Sequence, residues 1–534
     1  MNEAFEYDGI QHTTFPNPFH KTVGEFHKLQ ENDRKKDAWC EEKGIALHRI
    51  PHHVKFRELP AYVSELTGVD LNDVQFDTGG KIGINMTSCF TGASLSKKSF
   101  FAKHYKQIKY PVYSLNEETD AFIRDFYRGG RVEIFHLGKV PADKLWYYDF
   151  TSLYPWCGTK NLPYGKPLWV DSFDVNKHFG FVQVRVKSKP NMVHKKPLHG
   201  LLEDGKFIFR HFKDFTPMVL FSEELQVGIK SGLYEYEIKG GYTFQSAPWM
   251  KNFFEEAFDR KAQAKKAGNN ALAQVWKIII NSGYGFWGLR VKDRDTVLIQ
   301  KSEKGVIYPY INEGKFLNYN EVGEYSIMRV LSDLPVKDFN VGVASAISPI
   351  PCCALWYLIN DIESKGKSVY MCDTDSIITN IKINDHPDLM REYMWDGCGD
   401  ELGSLKNEAD DFIKDKDEIK RLKEEEGNMI CFNECILGGC KFYALRKNGI
   451  DKTICKCKGY KKSKGEELTF KDFEEMAGGG VKSQRQVQFL CPKMNHVSMT
   501  ERFSMRTPQV LKKFKFDYNK GVVHDDGKIT PIYA

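Results

Sequence analysis

The sequence predicts an α+β protein built of several units, on three observations. Short runs of alternating apolar and polar residues, punctuated by Gly and Pro, recur from about residue 180 to 245 and again over 289–335. Between them, residues 249–288 switch to an Ala/Lys/Glu-rich helical pattern broken once at Gly268-Asn269-Asn270, which reads as a helical hairpin with a polar tip. At 534 residues the chain exceeds one ordinary core, so roughly three or four units are expected.

Taken in order, residues 1–68 mix short apolar strands with a charged helix and read as a small α/β piece. Residues 69–140 alternate Gly, Ser and Thr with basic and aromatic positions and contain Tyr127-Arg128-Gly129-Gly130. A strand-like run, Leu145-Trp146-Tyr147-Tyr148-Asp149-Phe150, leads into Leu153-Tyr154-Pro155. Residues 369–378 read as a strand hairpin, and Pro349 and Pro351 interrupt the helical pattern before it. The last quarter is basic and mixed.

Hydrophobic residues make up 41% and aromatic residues 13%, enough for large cores. No stretch approaches the roughly 18 consecutive apolar residues of a membrane span, and the acidic start MNEAFEYDGI is neither a secretory signal nor a transit peptide. A soluble intracellular protein with no membrane partner is expected. Net charge is only +6, but Lys456, Lys458, Lys461, Lys462 and Lys464 crowd one segment and Lys512, Lys513, Lys515 and Lys520 another. Such clusters can neutralise phosphates, although each alone reads equally as a solvated basic face. Thirteen cysteines follow no framework or zinc spacing, so they read as reduced thiols, with Cys352 and Cys353 as small buried apolar groups.

Nucleotidyl transfer needs hard cations held by carboxylates on well-fixed elements. Asp149 ends an apolar strand, where a carboxylate is costly unless it serves a site. Asp373-Thr374-Asp375 lies between two apolar runs, and alternation in a hairpin would turn both aspartates to one face, though alone it reads as a polar turn. Spacings of four and three put Lys277, Asn281 and Tyr284 on one helical face, with Ile278 to Ile280 burying the other. Arg260, Lys261, Lys265 and Lys266 could reach the same phosphates from the preceding helix.

Three motifs in order resemble the B-family DNA polymerases. Asp149-Phe150-Thr151-Ser152-Leu153-Tyr154-Pro155 is similar to the first palm motif, DxxSLYP. Lys277-x-x-x-Asn281-Ser282-x-Tyr284-Gly285 is similar to the fingers motif, Kx3NSxYG, and Tyr370-x-Cys372-Asp373-Thr374-Asp375-Ser376 to the second palm motif, YxDTDS. Tyr127-Arg128-Gly129-Gly130 resembles the YxGG segment that contacts template, and Lys441-Phe442-Tyr443 the KxY motif that grips the primer terminus. The strand-rich inserts, Leu402-Gly403-Ser404-Leu405-Lys406-Asn407-Glu408 and Lys456-Cys457-Lys458-Gly459 resemble the protein-primed branch of viruses, linear plasmids and transposons. The resemblance covers roughly residues 88–534.

That resemblance implies a right hand: palm over 141–184 and 336–460, fingers over 248–288, thumb over 461–534. Two inserts, 185–247 and 289–335, would contact a priming protein and encircle the template, the second as a projecting β-hairpin carrying Lys292, Arg294, Lys301, Lys304 and Lys315. It implies two Mg2+ ions, replaceable by Mn2+, held by Asp149, Asp375 and the Phe150 carbonyl, with Asp373 more weakly placed. Lys277 would neutralise the triphosphate, the Ser152 and Leu153 amides would cradle it, and Tyr154 would lie beneath the sugar. Arg260, Lys265, Asn281 and Tyr284 would line the nucleotide. Tyr127, Gly129, Gly130, Lys441, Tyr443, Lys456 and Lys458 would contact DNA. Partners are then primer-template DNA, dNTPs and a priming protein.

The family's proofreading motifs are not matched; Asn72-Asp73-Val74-Gln75-Phe76-Asp77 is only a superficial likeness. Residues 1–68, through Glu6-Tyr7-Asp8-Gly9-x-Gln11-His12, Gln30-x-x-Asp33-x-x-Lys36 and Cys40-x-x-x-Gly44-Ile45-Ala46-Leu47-His48-Arg49-Ile50-Pro51, resemble the back half of a short-patch-repair-type endonuclease, and a remnant is expected. The alternatives are an inactive DNA-binding protein of polymerase ancestry and an endonuclease working through residues 1–68.

Overall fold

The computed structural model describes residues 3–8, 23–42, 46–51, 62, 92–105, 109–289, 294–300, 305, 307–322, 325–331, 340–390, 397–413, 416–426, 429–460, 467–487, 499–500, 502–503 and 509–534. They fall into two units, Met1–Asn85 and Met86–Ala534. In the first, strand Glu3–Asp8 pairs in parallel with Ala46–Pro51, and helix Val23–Glu42 lies between them in sequence. Arg49 reaches the Asp37 carboxylate at 2.8 Å and the Asp33 carbonyl at 3.3 Å, which pins the second strand to the helix. Residues 72–77 lie outside the described residues.

The second unit is organised around a five-stranded antiparallel sheet in the order Leu405–Asn407, Trp146–Phe150, Ser376–Thr379, Val369–Asp373, Val132–Ile134. The expected hairpin is its centre. Helix Pro349–Ser364 packs on the sheet with Leu355, Leu358, Ile359 and Ile362 fully buried. Only one proline marks a break: helix Val341–Ile347 ends at Ser348 and Pro349 opens the next helix, which runs on through Pro351. Pro351 still lies in its first turn, where the missing N–H has no partner to lose. By length and composition residues 341–364 would pass for a membrane span, yet they are core. Cys352 and Cys353 are buried there, and the cysteines among the described residues are all free.

The first insert is a sheet in the order Thr216–Phe221, Phe179–Ser188, Tyr234–Ala247, Leu162–Val170, so it begins upstream of residue 185. Phe181, Val182, Val184 and Val186 share one continuous core with the central sheet. The second insert is a separate three-stranded sheet, Arg294–Gln300, Tyr325–Leu331, Phe316–Val322, with its own small core. Here one expectation fails. Not every run within 289–335 is a strand; Ile307–Asn312 is a helix. Ile307 and Tyr310, three apart, meet Ile299, Met328 and Val330, whereas Tyr308 and Ile311 face out, so a helical period suits the sheet it covers. Lys292, Lys301 and Lys304 lie outside the described residues.

The helical hairpin is Lys251–Lys266 and Asn270–Ser282. Gly268 takes φ +73°, and the Asn269 side chain caps the second helix by accepting from the Leu272 amide at 3.0 Å. Ile279 and Ile280 are buried, but Ile278 is exposed, correcting the expectation that all three face inward: at about 100° per residue three consecutive positions span about 200°, more than one packed face. The described residues after 460 do not stand apart. Helix Phe470–Ala477 covers a sheet of Thr453–Cys457, Phe442–Arg446, Glu434–Gly439 and Gly138–Lys139, and the tail returns so that Ile529 is buried beside the central sheet. Ile532–Tyr533 then pairs in parallel with Lys206–His211.

Candidate active site

Register brings the acidic positions together. Asp149 pairs with Ser376 on one side and Lys406 on the other, and the Phe150 amide donates to the Asp375 carbonyl at 2.7 Å. Asp373 pairs with Ser376, so Thr374-Asp375 is a two-residue turn. Alternation along a strand therefore does not place Asp375; the turn does. Thr374 takes φ +68°, its amide donates to the Arg131 carbonyl at 2.7 Å, and Asp375 donates to the Asp373 carbonyl at 2.7 Å. The non-glycine left-handed residue is strain held by these bonds at the tip of the hairpin.

Electrostatics mark the spot. Burial first, then Asp375, Glu408 and Asp373, push the Asp149 carboxyl up to about 8, with Lys277 opposing. Burial and Asp373 push Asp375 up to about 6, opposed by Lys441. Carboxylates this close and this poorly solvated are destabilised when ionised unless cations join them. Lys441, itself at φ +58°, already pairs with Asp373 at 2.7 Å. No set of three or more His, Cys, Asp and Glu in ligand geometry occurs among the described residues. The donor set still suits a divalent ion: two shielded, mutually repelling carboxylates are hard oxygen ligands, and a cation between them removes the repulsion. Glu408, whose amide donates to the Tyr147 carbonyl at 2.8 Å, joins this field and was not among the expected site residues. Its position in the Leu402–Glu408 motif was the available signal.

Around the carboxylates, Tyr154 and Tyr284 stack with ring centroids 4.9 Å apart and planes at 22°, uniting the first palm-like motif with the helical hairpin. A β-carbon at Gly130 would lie 2.5 Å from the Tyr154 hydroxyl and 2.8 Å from the Thr374 methyl, so only glycine lets this segment approach so closely. Gly129 is open, and Gly288 abuts the Tyr127 ring. Ser152 sits at φ +56° before the short helix Leu153–Cys157, and Lys261 donates to its hydroxyl at 3.4 Å. Burial, then Lys277 and Lys265, lower the Lys261 ammonium, so these three lysines form one positive field. Arg260 instead bonds Glu256 at 2.9 Å and lies over Trp276. Asn281 is exposed on the Lys277 face.

The second sheet gathers the other basic positions. Tyr443 pairs with Lys456, the Lys458 amide donates to the Lys441 carbonyl at 3.1 Å, and the hydroxyls of Tyr443 and Tyr147 bond at 2.9 Å. Lys456 and Lys458 are exposed, and Lys512 approaches Gly459. Lys461, Lys462 and Lys464 lie outside the described residues.

Comparison with known proteins agrees with this arrangement. The family model for DNA polymerase type B, organellar and viral, matches residues 66–341, just over half of the chain. Proteins named as probable DNA polymerases are similar: one from Podospora anserina is 24% identical over 77% of this chain and 34% of its own length. Another from Agaricus bitorquis is 25% identical over 59% and 43%. The DNA-directed DNA polymerase of Enterobacteria phage PRD1 is 24% identical over 55% of this chain and 50% of its own. The chain thus spans about a third to a half of the length of these relatives. Among structures, Phi29 DNA polymerase with primer-template DNA and incoming nucleotides superposes with a TM-score of 0.53 at 18% identity, covering 84% of this chain and 70% of that one. The fold is therefore the right hand of that polymerase. The chain belongs to the organellar and viral type B DNA polymerases.

Proposed function

We propose that this chain is a template-directed DNA polymerase that joins dNTPs to a primer 3′-hydroxyl, or to a hydroxyl of a priming protein. The observation that carries this reading is the acidic centre: Asp149 on its strand and Asp375 in the neighbouring turn are both driven above the ordinary carboxylate range, Asp149 by burial and Asp375, Asp375 by burial and Asp373, with Lys277 opposing at Asp149. The bond formed joins the primer 3′-oxygen to the α-phosphorus; the bond broken releases pyrophosphate, and the hydroxyl proton leaves to solvent. Two Mg2+ ions, when bound, would activate the attacking oxygen and neutralise the leaving group. Asp149, Asp375 and the Phe150 carbonyl would hold them, and Asp373 is freed for a weaker role by its pairing with Lys441. Lys277 and Lys261 would balance the triphosphate, since phosphoryl transfer depends on positioning and charge rather than covalent help. Tyr154, fixed by Tyr284 and Gly130, would exclude a 2′-hydroxyl by its bulk. Lys441, Tyr443, Lys456 and Lys458 would hold the primer side, and Tyr127 with the two glycines the template side.

Strand displacement through the second insert, work without proofreading, and replication of a viral or mobile element belong to the same proposal. Residues 1–68 are assigned a structural role. Extension of a labelled primer by the purified chain with dNTPs and Mg2+ tests the reading; no extension with either Mg2+ or Mn2+ would overturn it. Within that assay, Tyr154→Val should admit ribonucleotides while dNTP use is largely kept.

A further inference from the structure

Arg128 lies within the Tyr127–Gly130 segment, yet its guanidinium does not face the cleft. The side chain is 7% exposed, its Nη2 donates to the Glu224 carboxylate at 2.5 Å, and it lies over the rings of Phe126 and Phe207 at 4.9 and 4.7 Å. Glu224, on helix Ser222–Ser231 of the first insert, is completely buried. Its other oxygen meets His199 Nδ1 at 2.9 Å, and His199 Nε2 meets the Tyr236 hydroxyl at 2.7 Å. Burial lowers the His199 ring, leaving Arg128 to match the Glu224 charge. Burial alone would raise Glu224, but Arg128 and His199 outweigh it and hold the carboxyl below its ordinary range.

On its other side the same backbone touches the acidic turn. The Arg131 carbonyl takes the Thr374 amide, its Nη1 donates to the Pro197 carbonyl at 2.9 Å, and Gly130 has no room between Tyr154 and Thr374. Three residues of chain therefore connect a buried ion pair in the insert to the sugar-side tyrosine and the Asp373–Asp375 turn.

We propose that Glu224 and His199 are positioning residues: through Arg128 the first insert sets where Gly130 stands, and so shapes the nucleotide pocket. This rests on the polymerase reading. A buried ion pair adds little net stability over apolar residues of equal volume, so its use here is geometric.

The test measures steady-state extension and amide exchange on the full chain carrying Glu224→Gln. The expected result is a KM for dNTP raised about tenfold with kcat within about threefold, because misplacement weakens nucleotide binding whereas partial unfolding would lower kcat alone. Exchange at the Thr374 amide should quicken about tenfold, since its Arg131 acceptor shifts. The double variant Arg128→Met with Glu224→Met, which restores packing without charge, should recover melting temperature but keep the raised KM. Unchanged KM and unchanged Thr374 exchange in Glu224→Gln would overturn the proposal, as would a normal KM in the double variant. If the parent itself extends no primer, the polymerase reading falls, and the exchange arm still decides whether the insert positions the turn.

Discussion

The two β-rich inserts have similar strand content but opposite relations to the rest of the molecule. The first lends Phe181, Val182, Val184 and Val186 to the main core and is tied to the rest of the unit by Arg128–Glu224 and by the returning strand Ile532–Tyr533. The second, among the described residues, closes over its own small core of Ile299, Ile307, Met328 and Val330 and leaves Tyr308, Ile311, Leu317, Tyr319 and Leu331 exposed. Shared burial makes one insert part of the central sheet's folding unit; a private core makes the other a separable attachment.

The largest expected effect breaks this comparison outright. Replacing 171–241 by a Gly/Ser linker should leave no cooperative melt in calorimetry, whereas the same treatment of 292–330 should leave the main transition intact. The shortened chain should still extend primers on open single-stranded template and lose copying through duplex DNA. A main transition lost in both would refute the separability of the second insert.

Next come single cavities. Phe181→Ala should lower the stability of the whole unit by about 3–5 kcal/mol. Met328→Ala, an equally buried site, should quicken amide exchange only within 294–331 and leave the main melting temperature unchanged.

A smaller effect is pH-dependent. His199 and Glu224 are both less protonated in the folded state than in the unfolded chain, so both contributions are complete at neutral pH and fade on acidification. His199 begins to fade below its ordinary 6.5 and Glu224 below 4.5. His199→Gln should therefore flatten the fall in melting temperature between about pH 6.5 and 5. The acidic centre runs the other way. Asp149 is raised, so in metal-free buffer its ionised form destabilises the fold, and stability returns as pH falls through about 8. Asp149→Asn should raise the metal-free melting temperature at pH 8 by a few degrees, and an unchanged value would mean the carboxylates do not repel.

The motif residues were readable because their partners lie nearby or their spacing is fixed: Asp373 and Asp375 belong to one hairpin, and Lys277 and Asn281 follow one helix, although Tyr284, expected on the same helical face, lies past the helix end at Ser282. The fold class and the helical hairpin followed from local periodicity for the same reason. What the sequence did not disclose depends on distant pairing. Tyr154 stacks on Tyr284 across two motifs, Glu408 enters the acidic field through sheet register, and Arg128 finds Glu224 only after the insert folds. Local patterning also misassigned Ile307–Asn312, whose β-prone composition yields to the face it must present to Met328 and Val330. Tertiary burial overrides propensity in such short segments.

The central claim is that Asp149 and Asp375 form the catalytic centre. Its most direct test is single-turnover incorporation of one dNTP by the Asp149→Asn and Asp375→Asn variants, with primer-template affinity measured alongside. Incorporation should fall by about a thousandfold or more in each, with DNA affinity within about threefold of the parent, because the loss lies in the transition state and not in ground-state binding. Incorporation by either variant at more than a few percent of the parent rate would contradict the account.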